Sequence, residues 1–405
     1  MKYPFPVIRT IDDIERHRAA GLIHDAFKRG ERANGTIVYD YAFMDNHVFP
    51  PIGATPFAAL ARELRGITFD ARTGALLSRP YQKFFNAGER EETLTDNLPL
   101  ADAHRVLEKI DGSMIHAFVA PDGGLAFATR WGVTTIARRA MAFWESQARA
   151  DARRAALRRV IEEGWTPIFE WTSPDSIVVV PHAEATLTLT GLRHRETGRQ
   201  RRHDELAPFA AALGAPLARA FDPIRDWESF ARATIAETEG EGYVVRFDDG
   251  HMIKIKNALY ARVHRFKANL SAPKDAAEIV VSGALDDMAP FLAAAERAQI
   301  EGYRDAVFAR LASCAARIDE TVARAKAEIA TSDPRERQKA FWIGFAAPLG
   351  SLLAGCAVDV WLGKRESIDA IKALVLRNVG ANARFEDFAA ALELPTLAFG
   401  FDGDP

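Results

Sequence analysis

Glu108-Lys109-Ile110-Asp111-Gly112-Ser113 places a lysine at the end of an apolar run, immediately before an Asp-Gly turn. By itself the segment suits a nucleophilic amine and an ordinary exposed lysine beside a turn, because four-residue patterns recur by chance. Its weight comes from three downstream segments in fixed order: Phe169-Glu170-Trp171, Glu241-Gly242-Tyr243-Val244-Val245 and Ile253-Lys254-Ile255-Lys256. The strand period of two puts Lys254 and Lys256 on one face and sends Ile253 and Ile255 to the other. Glu170 and Glu241 lie in apolar strands, where a carboxylate needs a metal or an arginine as partner. An amine, clustered cations and carboxylates are the groups that phosphoramidate chemistry on lysine requires. Cations near Lys109 are expected to favour its neutral form.

Working outward, the first 265 or so residues alternate strand-like runs with turns and a few helices. Gly66-Ile67-Thr68-Phe69-Asp70 and Gly74-Ala75-Leu76-Leu77-Ser78 read as a hairpin, Ile177-Val178-Val179-Val180 as a strand, and residues 134–161 as helix. Beyond Pro273 the texture becomes Ala-rich and amphipathic, with helical runs over 289–300, 303–329 and 368–378. The expected fold class is α+β: a mixed domain over 1–265 built on antiparallel sheets, then an all-α domain over 274–405.

Composition sets bounds. Of the 405 residues 48% are hydrophobic and 26% charged, which excludes wholesale disorder. A formal charge of −3 provides no global attraction to a polyanion, so a local patch must. Cys314 and Cys356 lack zinc or disulfide spacing, and no stretch reads as a signal peptide or membrane span, so a reducing, cytoplasmic setting is expected. None of the ten histidines falls in an evident triad or paired-ligand spacing.

Upstream, Arg62-Glu63-Leu64-Arg65-Gly66-Ile67-Thr68-Phe69 is followed by Ser78-Arg79-Pro80-Tyr81-Gln82-Lys83-Phe84-Phe85-Asn86. With these segments added, the chain resembles the covalent nucleotidyltransferase superfamily and, within it, the phage-type ATP-dependent RNA ligases of tRNA repair. The resemblance implies an ATP-grasp-like nucleotidyltransferase domain over 1–265 and a helical domain for RNA or tRNA recognition. It makes Lys109 the adenylylated lysine and gives Arg65, Lys83, Lys254 and Lys256 contacts to ATP phosphates or pyrophosphate. Glu170 would bind ribose or metal, Glu241 and Asp286 would bind Mg²⁺ or Mn²⁺, and Tyr39 would contact the nucleotide. Phe85 belongs to the Lys-Phe-Phe-Asn block, though core packing also accounts for it. Arg130 stands where the family usually has lysine, keeping the charge and changing the reach.

The partner implied is RNA with 5′-phosphate and 3′-hydroxyl ends, nicked tRNA included. The run Arg193-His194-Arg195 with Arg199, Arg201, Arg202 and His203 offers a phosphate-binding loop or a merely solvated one. Phe341, Trp342, Phe345 and Trp361 fit either a helical core or an RNA surface. A DNA ligase or capping-type enzyme shares the Lys-x-Asp-Gly segment but continues into an OB-fold instead of helices. A non-catalytic RNA-binding protein would tolerate loss of the nucleophile.

Overall fold

A computed structural model describes residues 3–44, 47–380 and 382–399. The chain divides into two compact units, one running to Ala261 and the other beginning at Arg262.

The first unit is built on three sheets. One runs β1 (Phe27–Arg32), β2 (Thr36–Tyr41), β3 (Ile67–Asp70), β4 (Leu76–Ser78), all antiparallel and in chain order. The hairpin read from Gly66 to Ser78 is β3–β4, closed by a loop in which Asp70 Oδ1 accepts from the N–H groups of Arg72 and Thr73. A second sheet has the order β10 (Thr186–His194), β9 (Trp165–Thr172), β7 (Ser113–Val119), β8 (Leu125–Ala128). A third has the order β11 (Ala220–Phe221), β6 (His104–Glu108), β12 (Gly242–Phe247), β13 (Met252–Lys256), β5 (Phe85–Asn86). Its last pairing, β13 with β5, is parallel, a departure from the antiparallel expectation.

Helices Thr135–Ser146 and Ala150–Glu162 pack on the second sheet through Trp144, Leu157, Val160 and Ile161. Residues 134–161 read as one helix, but Arg149 at φ 62° turns the chain between two. The first is capped by the Thr134 hydroxyl, which accepts from the Ala137 N–H. The fully buried Trp144 donates its indole N–H to the Leu213 carbonyl, so its polar edge is satisfied.

Residues 177–180, expected as a strand, form a bent loop. The N–H groups of Val179 and Val180 donate to Asp111 Oδ2 at 2.7 and 2.6 Å, so a carboxylate takes the donors a ladder would have used.

The basic run read as a phosphate-binding loop is mostly structural. Arg193 is fully buried and donates to Glu63 Oε1 at 2.8 Å, while Arg79 holds Oε2 at 2.9 Å. Arg201 stacks on Trp165 and Phe209, Arg202 pairs with Asp204, and of the run's arginines only Arg199 and Arg202 are exposed.

The second unit is helical in every described element. The runs expected at 289–300 and 303–329 join into one 35-residue helix, Ala294–Glu328, because Ile300, Tyr303, Val307 and Leu311 keep one buried stripe through Gly302. Phe341 is buried and stacks on Trp361 at 4.4 Å, which is a core contact, while Trp342 is 48% exposed. Cys314 and Cys356 are buried free thiols, and no helix among the described residues is long and apolar enough to cross a membrane.

Glu63 anchors the unit that runs to Ala261. Burial pushes its carboxyl up, but Arg193 and Arg79 outweigh that and hold it down at about 2. Glu63→Gln is expected to cost about 3–5 kcal/mol by leaving two buried guanidiniums short of charge, read by urea unfolding; a loss under about 1 kcal/mol would contradict this. The folded value lies below the unfolded one, so this stabilisation is present above about pH 4.5 and is lost as pH falls toward 2.

Candidate functional site

Lys109-Ile110-Asp111-Gly112 is the connector between β6 of the third sheet and β7 of the second. Lys109 leaves the ladder with one last bond, its N–H donating to the Gly242 carbonyl at 3.0 Å. Gly112 then passes so close to β9 that an added Cβ would lie 2.3 Å from the Trp171 carbonyl oxygen. Gly242 is fixed in another way, at φ 134°, with a notional Cβ 2.1 Å from the Ile255 oxygen. Both glycines sit where only glycine fits, beside the lysine and beside Glu241.

Glu241 bridges two ammonium groups: Oε2 lies 2.6 Å from Lys109 Nζ and Oε1 2.9 Å from Lys256 Nζ. The register brings this about, since Gly242 pairs with Lys256 across the β12–β13 hairpin. Lys254 shares the face of Lys256, and Ile253 and Ile255 are buried on the other. Burial and then the charges of Lys83, Lys109, Lys256 and Arg65 drive Lys254 well below its ordinary value, so these five cations share one field. Lys83 is lowered by its burial and by Arg65, and its Nζ sits 5.3 Å from the centroids of both Tyr41 and Phe85. Phe85 is also approached by Arg62 and Arg90, at 5.5 and 5.1 Å, so it is both core and a cushion for cations. Arg65 Nη1 donates to Met114 Sδ at 3.1 Å.

Lys109 departs from the expectation of a lowered pKa. Burial does pull it down, but Glu241, Glu170 and Asp111 outweigh the burial and raise it above the usual lysine value. The same pairing holds Glu241 low, because Lys109 and Lys256 overcome its burial. Glu170 goes the other way: burial, with Glu241 nearby and only partial relief from Lys109 and Arg65, lifts it to about 8. Its carboxylate makes no hydrogen bond or ion pair among the described residues.

The structure therefore gathers Lys109, Arg65, Lys83, Glu170, Glu241, Lys254 and Lys256. Tyr39 is not among them; its hydroxyl donates to Glu15, with Arg18 over the ring. Tyr41, two residues on, is the tyrosine at the cluster, with Lys83 and Arg130 over its ring and its phenol lowered because Lys83, Arg65 and Arg130 outweigh its burial. The Tyr39-Asp40-Tyr41 repeat leaves a choice that only three-dimensional placement decides. Arg130 pairs with Asp40 at 3.3 Å and lies 4.5 Å from the Trp131 ring centroid. Asp286 falls in the second unit, on the turn Leu285–Met288, where its charge acts on Arg304. Asp111 and Tyr260 also reach Glu241 or the connector, and sequence does not mark them as site residues because a carboxylate in a turn and a helical tyrosine are individually ordinary.

Fully buried His116 bridges the Ser78 hydroxyl and the Thr129 carbonyl, and burial lowers it to about 4, so it is neutral near pH 7; neither of these two partners is an acid that could complete a triad. No group of three or more His, Cys, Asp or Glu suited to a metal occurs among the described residues.

A family model described as RNA ligase matches residues 63–260, the span holding Lys109, Arg65, Lys83, Glu170, Glu241, Lys254 and Lys256 but not Tyr41. A Thermovibrio ammonificans protein provisionally named an RNA ligase is 34% identical over 214 residues, which is 51% of this chain and 53% of that protein. RNA ligase 1 of bacteriophage TS2126 is 32% identical over 244 residues, covering 58% of this chain and 60% of the relative. The chain thus spans between half and two thirds of the length of these relatives. A solved archaeal ATP-dependent RNA ligase, form 1, aligns over 95% of this chain and 89% of its own at 15% identity and a TM-score of 0.45. Residues 63–260 are thus similar to RNA ligases in sequence.

Proposed function

We propose that this chain is an ATP-dependent RNA ligase that works through a Lys109 adenylate. The observation carrying the reading is Lys109 held at 2.6 Å by a carboxylate within a ring of four further cations. Lys109 Nζ would attack the α-phosphorus of ATP; the P–N bond forms as the bond to the pyrophosphate oxygen breaks, and Nζ loses a proton. An oxygen of an RNA 5′-phosphate then attacks the same phosphorus, breaking the P–N bond and freeing the lysine. A 3′-hydroxyl attacks the adenylylated 5′-phosphorus, forming the phosphodiester and releasing AMP.

Each displacement builds charge on phosphate oxygens, and Arg65, Lys83, Lys254 and Lys256 are fixed donors for it. Burial of Lys83 and Lys254 means that a polyanion regains for them charge stabilisation lost with water. A divalent cation, Mg²⁺ or Mn²⁺, fits Glu170 and Glu241: the Glu170 carboxylate makes no hydrogen bond or ion pair among the described residues and feels the Glu241 charge, and Mg²⁺ commonly takes one or two carboxylates beside phosphate oxygens. Bound there it would neutralise the triphosphate. Asp286 stays a further candidate ligand, and Tyr39 is set aside in favour of Tyr41 as the nucleotide-facing tyrosine.

The substrate class we assign is RNA with 5′-phosphate and 3′-hydroxyl ends, nicked tRNA among it, in a cytoplasmic repair role. The helical unit is assigned to RNA recognition, with exposed Trp342 as its base-stacking candidate.

Incubation with α-labelled ATP is expected to label the chain, and Lys109→Ala to abolish the label; unlabelled wild type would remove the mechanism. Because Lys109 is raised, its neutral fraction is small at pH 7, and the labelling rate should climb about tenfold per pH unit from 6 to 8. A flat profile would show that the amine is already neutral in the complex. Trp342→Ala is expected to raise KM for nicked tRNA severalfold and leave labelling unchanged, whereas an unaltered KM would remove Trp342 from the RNA surface.

A further inference from the structure

Tyr260 occupies the first turn of the helix Ala258–Leu270, directly after β13, and is 3% exposed. Its hydroxyl donates to Asp111 Oδ1 at 2.5 Å and also faces the Glu241 carboxylate. Its ring carries Lys256, with Nζ 4.8 Å from the centroid. One side chain therefore touches the Lys-x-Asp-Gly connector, the carboxylate that holds the nucleophile and a phosphate-facing lysine.

The ring is itself tightly held. The Tyr260 N–H donates to Asn257 Oδ1 at 2.6 Å, and Asn257 Nδ2 donates to the Gly240 carbonyl at 2.8 Å. The Asn257 N–H closes the set by donating to the Glu241 carbonyl at 3.1 Å. Backbone at Gly240 and Glu241 is thus tied to the helix start that presents the phenol.

We infer that Tyr260 is a positioning residue for nucleotidyl transfer, keeping Lys109 and Lys256 in fixed relation through Glu241 and Asp111. The inference rests on the proposed lysine-adenylate reading. A donor set between two carboxylates restrains both, and without it they face each other unscreened and Glu241 is freer to turn from Lys109. Asp111 keeps its bonds from Val179 and Val180, so loss of the hydroxyl alone spares the surrounding loop.

Tyr260→Phe removes the donor and keeps the ring under Lys256; Tyr260→Leu removes both. The full chain is assayed for single-turnover labelling by α-labelled ATP and for sealing of a synthetic, already adenylylated RNA, which bypasses Lys109 as nucleophile. Tyr260→Phe should slow maximal labelling about tenfold, with KM for ATP and the sealing rate each within about twofold of wild type. Tyr260→Leu should slow labelling about tenfold further. Wild-type labelling by Tyr260→Phe overturns the inference, as does an equal loss in both reactions with a lowered Tm. If wild type itself takes no label, the functional reading falls first; if only the Phe variant behaves as wild type, the positioning role alone falls.

Discussion

A single buried carboxylate carries the site. Glu241 gives one oxygen to Lys109 and the other to Lys256, in a field that also contains Arg65, Lys83 and Lys254. Two unit charges about 4 Å apart interact by about 4 kcal/mol at an effective dielectric near 20, so cations this crowded need a counter-charge held in place. The glycine after Glu241 and the Asn257 tie provide that hold from the backbone. The crowding is tolerated because Glu241 is held between two of these cations.

A second buried carboxylate does comparable work for the fold. Glu63 ends the helix Ala58–Glu63 and takes both Arg79, just after β4, and Arg193, on β10. It ties the first sheet to the second through charges that have lost their water. Arg193 also donates to the Pro80 carbonyl, and Arg79 to those of Arg195 and Glu196. These arginines are therefore structural members, with no freedom to track a phosphate backbone.

The α+β class, the β3–β4 hairpin and the helical texture after Pro273 are legible in the sequence because each rests on local periodicity. So are Lys254 and Lys256 as a pair, since a period of two admits one arrangement. Sequence does not supply the partner of each charge. Arg193 looks like any basic-loop arginine until Glu63 is seen beside it. Neighbouring lysines would lower Lys109, yet the nearer carboxylates decide its sign. Residues 177–180 have a strand's composition, but Asp111 claims the N–H groups. Tyr39 and Tyr41 share strand, residue type and burial, and differ only in the groups that stand around their rings.

The parallel pairing of β5 with β13 bears on how the protein comes together. It joins Phe85 to Ile253, far apart along the first unit's chain, and so demands closure of a very long loop before it contributes. The Lys109 connector is made well before Glu241, Lys254 and Lys256 in synthesis. A nascent chain would thus hold an unrestrained Lys109 and the Lys83 block apart until the β12–β13 hairpin docks. Assembly of the Lys109–Glu241–Lys256 cluster would then be a late event of folding, completed only once residue 256 or thereabouts has joined the sheet.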